Sequence, residues 1–312
     1  MKEIDIIIPM HNAAGRIEET AKALLNQKLE DGYRQRLVVV DDASTDDSLS
    51  EIRSCPPDSV SVVCHKKVIG RAAARNSGAR ACYGEFLVFI DSDCQPKDFH
   101  TIMNHIRVLE AGYDVSIGIV EKLGDSFWAK YQNSLNSRGL AESPSVASIA
   151  LRTANFAIRR ELFENCGGFD CRYQKYGFED KDLAARLVKQ GVRIFYNADA
   201  SVLHDDEPSV RSISSKMLEA GEFTAGIFVT DHPQEYEKLP YSLFDFRCNS
   251  AWRSYVLTVL WSSHPLCVRL LERIINVEWI PYHLKAMLLR IVSALSFFQG
   301  TKRAWLRDRD TS

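Results

Sequence analysis

The sequence predicts an α/β protein in which a doubly wound, mostly parallel sheet is followed by a helical C-terminal extension. Short apolar segments alternate with amphipathic ones as far as His204, and this alternation is typical of strands joined by right-handed helical crossovers. The segment Phe86–Ile90 is apolar at every position, as expected of a strand buried on both faces. Beyond residue 210 helical periodicity dominates and aromatic residues become frequent, which predicts a separate helical region.

The first part of the chain carries strands that are short and apolar. We predict them at 4–9, 37–40, 60–64 and 86–90. A first helix is expected where apolar residues recur at helical spacing: Ile17, Ala21, Leu24 and Leu25. The acidic segment 41–47 supplies N-cap side chains for a second helix. An alanine-rich third helix over 71–83 ends at Gly84.

The next part continues the alternation but contains a long irregular segment. Further strands are predicted at 114–120, 154–158, 192–196 and 200–204, and further helices at 99–110, 160–166 and 178–189. Residues 121–150 show no clear periodicity and contain Gly124, Gly139 and Pro144. A loop of this length inside a compact domain is usually functional. We therefore expect this segment, with the C-terminal helices, to line the substrate pockets.

Composition excludes several classes of protein. The 312 residues carry a formal net charge of −2, which gives no reason to expect a nucleic-acid partner. The eight cysteines form no C-x-x-C pair, which favours reduced thiols over a disulfide framework or a zinc site. Lys2, Glu3 and Asp5 precede an apolar stretch too short for a signal peptide, and no apolar run is long enough to span a membrane. We expect a cytoplasmic protein.

The triplet Asp91-Ser92-Asp93 directly follows the most apolar strand. In open α/β sheets, ligands bind beyond the carboxyl ends of strands, where these two carboxylates are presented. Hard divalent cations such as Mn²⁺ or Mg²⁺ take oxygen ligands and keep positions open for substrate phosphates. A nucleotide diphosphate bridged to the protein by a metal is the first hypothesis. The alternative is a simple turn before Pro96.

A second acidic pair, Asp41 and Asp42, also follows a predicted strand. A carboxylate there accepts hydrogen bonds from the N–H edge of a base or from a ribose hydroxyl. The alternative is that Ser44 or Asp46 caps the next helix, although this leaves a doubled acid unexplained. We favour nucleotide binding.

Two arginines lie at the start of the third helix. Arg71 and Arg75 are four residues apart and so share a face near the positive end of the helix dipole. Guanidinium groups bind phosphate well, and we predict a diphosphate contact. The alternative is a pair of solvated surface arginines.

A cluster of acids begins the helix predicted at 178–189. Acids in a first helical turn stabilise the helix dipole, but Gly177 would also let the backbone approach a ligand closely. We predict that Asp180 is a general base for an acceptor hydroxyl, whereas Asp182, on another face, caps or pairs. His204 ends a predicted strand and is a possible metal ligand, with a structural histidine as the alternative.

In this order, the segments resemble those of the family 2 glycosyltransferases of the GT-A fold, over roughly residues 3–206. The segment 6–12 is similar to the family's first-strand signature, with His11 where tyrosine is usual. The other matching segments are 39–46, 70–78, 84–86, 91–93, 154–160, 167–170 and 179–183. Each motif alone is weak, but the whole set in register is specific.

The resemblance implies a division of labour among the residues of these motifs. A Rossmann-like half over residues 1–95 would bind the nucleotide-sugar. The contacts that the resemblance implies are Pro9, His11, Asn12, Asp41, Asp42, Ser44, Gly70, Arg71, Arg75, Asn76, Asp91, Ser92 and Asp93. A divalent metal (Mn²⁺ or Mg²⁺) would be held by Asp93, Asp91 and His204. Asp180 would be the base, Glu179 would assist it, and Asn155, Gly177 and Phe178 would contact the acceptor.

The resemblance also implies partners and domain limits. The catalytic domain would span 1–210, with 96–210 as its acceptor-binding half, and 211–312 would be the helical extension. The donor would be a UDP-sugar and the acceptor a glycan, a lipid-linked sugar or another hydroxyl compound, with inversion at the anomeric carbon. Residues 284–298 are the best segment for peripheral contact with the inner face of a membrane, although packing into the core is favoured.

Two other functions remain open. A sugar-phosphate nucleotidyltransferase would need a basic glycine-rich loop after the first strand, where Pro9-Met10-His11-Asn12 stands instead. A non-catalytic nucleotide-sugar or glycan-binding protein would need no base at Asp180. A dinucleotide-dependent oxidoreductase is disfavoured because no G-x-G-x-x-G follows the first strand.

Overall fold

The structure is a computed structural model that describes residues 1–56, 59–134, 151, 153–206 and 208–310. The strands are β1 (Lys2–Met10), β2 (Tyr33–Asp41), β3 (Val60–Cys64), β4 (Phe86–Ile90), β5 (Cys94–Pro96), β6 (Val115–Glu121), β7 (Asn155–Arg159) and β8 (Ile194–His204). The helices before β8 are α1 (Ile17–Leu25), α2 (Ser48–Arg53), α3 (Arg71–Arg80), α4 (Thr101–Glu110), α5 (Phe127–Ser134), α6 (Arg160–Asn165) and α7 (Glu179–Lys189).

The described chain after β8 consists of helices and short connections, with no strand. The helices are α8 (Val210–Glu219), α9 (Ala225–Asp231), α10 (Pro233–Glu237), α11 (Ala251–Ser262), α12 (His264–Ile274) and α13 (Tyr282–Asp310). A π-turn, Ala220–Thr224, joins α8 to α9. Within the described residues, no helix combines the length and apolar character needed to cross a bilayer.

The strands form one mixed sheet in the order β3-β2-β1-β4-β7-β6-β8-β5. The β2–β3, β1–β2, β1–β4 and β6–β8 pairs are parallel. The β4–β7, β6–β7 and β5–β8 pairs are antiparallel. The α/β class and the helical C-terminal region are thus confirmed, and the antiparallel strands β7 and β5 make the sheet mixed.

Several elements differ from the sequence predictions. The strands predicted at 192–196 and 200–204 are one strand, β8, whose register against β6 shifts between Gly118 and Ile119. This irregularity accommodates the polar residues between the two apolar segments. The irregular stretch predicted at 121–150 contains α5, and its residues 135–150 lie outside the described part of the chain.

The first of two compact units contains the sheet. It comprises Met1–Leu123, the described residues of 132–174, and Leu183–Asp206. Alternate residues of β1 pack on opposite faces of the sheet: Ile6 and Ile8 join the cluster that includes α1 and α4, whereas Ile7 joins the one that includes α3 and α7. Burial on both faces explains why β1 is apolar at successive positions.

The second unit is helical. It comprises Gly124–Tyr131, Lys175–Asp182 and the described residues from 208 onward. Val268 and Leu271 of α12 pack with Ala286 and Leu289 of α13, and α11 packs against the same long helix through Leu257. The extension is therefore a packed helical body with α13 at its centre.

Candidate functional site

The carboxyl ends of β1, β2 and β4 meet at one edge of the sheet. Because these strands are parallel neighbours, the residues that follow them lie beyond the same edge. Met10 lies beside Asp41 in the ladder, and Asp91 directly follows β4. The first unit thus gathers the acidic segments that the sequence places after separate strands.

Asp93 and His204 lie within reach of one ion. The short strand β5 pairs antiparallel with β8 so that Cys94 lies opposite His204, and the Asp205 amide donates to the Asp93 carbonyl at 2.9 Å. This register brings His204 Nε2 to 3.3 Å from Asp93 Oδ2. Together with Cys94 they form a group whose potential ligand atoms all lie within 4.8 Å of one another.

The pair is electrostatically coupled. Burial disfavours a charged carboxylate, but the hydrogen bond and charge of His204 and the charge of Arg71 outweigh it and lower the pKa of Asp93 to about 2. Burial also acts to lower the pKa of His204, yet the hydrogen bond and charge of Asp93 raise it overall. Asp93 is thus an anion throughout the physiological range.

These residues fit a divalent metal ion. An ionised carboxylate and an imidazole form a mixed oxygen and nitrogen donor set that suits Mn²⁺, and both side chains are partly exposed, which leaves room for a substrate oxygen. Cys94 does not fit as a thiolate, because it is fully buried and burial raises the pKa of its thiol well above the ordinary value. The expected ligands in this group are therefore Asp93 and His204.

Asp91 is held by an arginine. Arg75 Nη2 donates to Asp91 Oδ1 at 2.8 Å, and the Arg75 guanidinium lies 5.3 Å from the Phe169 ring centroid. Arg75 is only 1% exposed, and its packing in the interior makes it the anchor of Asp91. Its contact with a diphosphate stays a prediction. Arg71, in contrast, is exposed and its charge acts on Asp93.

Asp42 organises the segment that leads into α3. Its carboxylate accepts from the Gly70 amide at 2.8 Å, from the Ile69 amide at 3.0 Å and from His65 Nδ1 at 2.8 Å. His65 Nε2 lies 3.0 Å from Ser77 Oγ. Sequence reasoning missed His65, because its pairing depends on the path of the chain after β3. Contact between Asp42 and a base stays a prediction.

The residues after β1 and β2 are tied together at the surface. The Ser44 hydroxyl accepts from the Asn12 amide at 3.0 Å, and Asp41 Oδ1 accepts from the Ser44 amide at 3.0 Å. The exposed His11 ring is oriented by a 2.9 Å hydrogen bond from Nδ1 to the Asp42 carbonyl. A ring held in this way remains open to stack on a planar base. Pro9, by contrast, is buried within β1.

Two residues that the sequence predicts to contact ligands, Asn76 and Asn155, are buried and hydrogen-bonded within the protein. Asn76 is buried and exchanges hydrogen bonds with the backbone of Phe169, at 2.7 and 2.9 Å. Asn155 is fully buried, and its amide binds His105 and the carbonyls of Ile119 and Ala200. The contacts of Asn76 with the nucleotide and of Asn155 with the acceptor stay predictions, and the hydrogen bonds described here hold both amides within the protein. Ser92 is partly exposed, and its carbonyl accepts from Thr20.

The acids of α7 divide between two tasks in the second unit. Asp182 is buried and lies 2.9 Å from His232 Nε2, which fits the prediction that it pairs; His232 itself gave no signal in the sequence. Glu179 is buried, whereas Asp180 is partly exposed at the helix N-terminus. Of these three acids, Asp180 has the access that a base requires.

Gly177 and Phe178 precede α7 and are structural. Phe178 packs in a ring cluster with Phe228 and Tyr241, at centroid distances of 5.3 and 5.2 Å. This packing leaves Phe178 6% exposed, and its contact with the acceptor stays a prediction. Gly177 has φ +98°, and a Cβ there would lie 2.9 Å from the Ala220 Cβ. The close approach that requires glycine is therefore to this chain's own π-turn.

The protein has an α/β sheet with acids and an imidazole at its strand ends, where open α/β sheets bind their ligands. Residues 5–174 match the model of the family described as "Glycosyl transferase family 2", and the chain belongs to that family. Membership confirms the resemblance seen in the motifs and the assignment to a family of transferases.

Curated relatives carry related names. The pre-mycofactocin glycosyltransferase of Mycobacterium tuberculosis is 28% identical over 255 residues, which are 75% of this chain and 49% of that protein. The glycosyltransferase AglE of Haloferax volcanii is 28% identical over 217 residues, 66% of this chain and 67% of that protein. The chain thus spans about half the length of the mycobacterial relative.

Solved structures share the fold. A mannosyltransferase from Pyrobaculum calidifontis in complex with GDP-Man and Mn²⁺ gives a TM-score of 0.64 at 20% identity, covering 97% of this chain and 87% of that one. TarS of S. aureus gives 0.56 at 17% identity, covering 97% of this chain and 55% of that one. The likeness confirms the GT-A fold.

Proposed function

We propose that this protein transfers a sugar from a nucleotide-diphospho-sugar, a UDP-sugar, to an acceptor hydroxyl with inversion of configuration. The observation that carries the proposal is the Asp93–His204 pair, 3.3 Å apart beyond the sheet edge, in a chain of glycosyl transferase family 2. A carboxylate held ionised beside an imidazole is suited to a diphosphate-bound Mn²⁺ or Mg²⁺. The proposed acceptor class is a glycan or lipid-linked hydroxyl.

The donor would be held by groups of the first unit. Asp93 and His204 would hold the metal, which when bound offsets negative charge on the departing diphosphate. Arg71, exposed at the start of α3, would contact a phosphate, and His11 would stack on the base. Asp91, fixed by Arg75, would accept from a ribose hydroxyl. This set orients the leaving group before reaction.

Asp180 would accept the acceptor's proton. The acceptor oxygen forms a bond to the anomeric carbon as the bond from that carbon to the diphosphate oxygen breaks, and the bonding electrons leave with the nucleoside diphosphate. The proton of the hydroxyl passes to the Asp180 carboxylate. A single displacement of this kind inverts the anomeric centre. The support for Asp180 is its partial exposure, since Glu179 and Asp182 are buried.

Release of the nucleoside diphosphate tests this function. We expect the purified protein to release UDP from one member of a UDP-sugar panel, with Mn²⁺ raising the rate and EDTA removing it. GDP-sugars serve as the comparison set. The variant Asp180→Asn should bind the donor with unchanged affinity while losing turnover by about 100-fold or more. Full turnover in that variant would show that another group accepts the proton, whereas donor binding without turnover in the wild type would support a binding protein instead.

A further inference from the structure

The second unit exposes an apolar face that its own packing does not cover. On α11, Trp252 is 74%, Tyr255 63% and Val259 52% exposed, and they recur at i, i+3 and i+7 on one side of the helix. The opposite side carries Leu257, which packs with Leu295 and Phe298 of α13. The outward residues therefore have no place in the core of this unit.

The next helix repeats this arrangement. Leu266 and Leu270 of α12 are 59% and 48% exposed and lie one turn apart, whereas Val268 and Leu271 are buried against α13. We name the set Trp252, Tyr255, Val259, Leu266 and Leu270 the outer face. Residues 284–298, the sequence's best candidate for membrane contact although it favours packing into the core, are largely packed inside the unit, with Leu289, Val292 and Leu295 buried.

The exposed charged side chains of the two helices that form the outer face are all basic. The exposed charged residues of α11 and α12 are Arg253, Arg269 and Arg273. The single acid in these two helices is Glu272, whose carboxylate lies 3.9 Å from Arg211 and accepts from the Arg211 amide. A surface with tryptophan and tyrosine among aliphatic residues and a rim of arginines complements an anionic bilayer surface.

We propose that the outer face docks on a membrane that contains anionic phospholipids, with Trp252 and Tyr255 inserted at the headgroup level. A second copy of the chain fits less well, because a two-fold interface centred on this face would bring the three arginines against one another without acids to pair them. The inference is independent of the proposed transferase activity, since it concerns helices that carry none of the site residues.

Vesicle binding tests this docking. The full chain should co-sediment with vesicles of phosphatidylcholine and phosphatidylglycerol, and bind pure phosphatidylcholine vesicles much more weakly. The double variant Trp252→Ser/Tyr255→Ser should lower the partition coefficient by at least about tenfold. Arg253→Gln, Arg269→Gln and Arg273→Gln should each lower binding to the anionic vesicles by about fivefold and weaken its dependence on salt.

A control variant at another exposed tyrosine distinguishes binding through the outer face from non-specific adsorption to vesicles. Tyr83, in the first unit, is 77% exposed, and Tyr83→Ser should leave vesicle binding unchanged, whereas Tyr255→Ser should weaken it. All of these variants alter exposed side chains, so their unfolding curves should overlay that of the wild type. Equal binding by the wild type and the double variant would overturn the proposal. So would a vesicle-free dimer, measured by analytical ultracentrifugation, that Trp252→Ser converts to monomer.

Discussion

At the scale of single residues, Asp93 and Cys94 are neighbours with opposite chemistry. Asp93 is ionised and partly exposed, whereas the Cys94 thiol is buried and its pKa is raised by burial. We therefore predict that Asp93→Ala abolishes Mn²⁺-stimulated binding of a UDP-sugar, a loss of about 100-fold or more, as for removal of a metal ligand. Isothermal titration with and without Mn²⁺ measures it.

Cys94→Ala is the matched control for that variant. It removes the third member of the same cluster but no anionic ligand, so metal-stimulated donor binding should stay within about twofold of the wild type. Unchanged affinity in Asp93→Ala would refute the assignment of the metal to this carboxylate.

Arg75 shows how a surface-type residue becomes part of the interior. Its side chain is 1% exposed and its partner Asp91 is only partly exposed. Removal of the guanidinium would therefore leave the Asp91 carboxylate without its ion-pair partner. We predict that Arg75→Met lowers the free energy of unfolding by about 3 kcal/mol. Arg71→Met, at an exposed position of the same helix, should change it by less than about 0.5 kcal/mol. Urea denaturation of the two variants should separate these values; equal small effects would contradict the anchoring function.

At the scale of elements, the start of α3 depends on a glycine. Gly70 has φ +97°, and a Cβ there would lie 2.7 Å from the Gln174 carbonyl oxygen. We predict that Gly70→Ala lowers the free energy of unfolding by more than about 2 kcal/mol, because both the backbone conformation and the contact are unfavourable. Gly15→Ala is the control: its φ is +80°, but no atom lies within 4 Å of the added Cβ, so only the conformational cost of about 1–2 kcal/mol remains. Thermal unfolding compares the two, and equal losses would exclude the clash.

The sequence predicted those elements whose signal is local. Strands β1 to β4 contain apolar segments and α3 begins after Gly70, so pattern alone located them, although α3 ends at Arg80, before the predicted stop at Gly84. Strand β5 has three residues and exists through its pairing with β8, and no local pattern reports such pairing. The same limit applies to the site. The acids after strands indicated where ligands would bind, but the burial of Arg75 and Asn155 depends on tertiary neighbours.

At the scale of the whole molecule, the buried His105 links α4 to the sheet of the first unit through hydrogen bonds. The ring is fully buried: Nε2 donates to Asn155 Oδ1 and Nδ1 accepts from the Ser116 hydroxyl, both at 2.9 Å. Asn155 in turn binds the carbonyls of Ile119 and Ala200, at the irregular point between β6 and β8. The neutral imidazole of His105 thus stabilises the register shift between β6 and β8, where the two apolar segments of β8 are joined into one strand.

This histidine makes global stability depend on pH. Burial, only partly opposed by the hydrogen bonds to Asn155 and Ser116, lowers the pKa of His105 from 6.5 to about 4. Between these values the unfolded chain binds a proton that the folded chain does not, so stability is retained above pH 6.5 and falls as the pH drops towards 4. The fall attributable to this group is about 3 kcal/mol.

The variant His105→Gln isolates that contribution. It should be less stable than the wild type at pH 7, because the amide cannot reproduce both ring contacts, yet its stability should fall less steeply between pH 6.5 and 4.5. His100→Gln, at an exposed position one residue before α4, should keep the wild-type slope. Urea denaturation at several pH values gives each slope. A wild-type slope in His105→Gln would mean that other groups carry the acid sensitivity, and that the buried ring accepts its proton without unfolding the sheet.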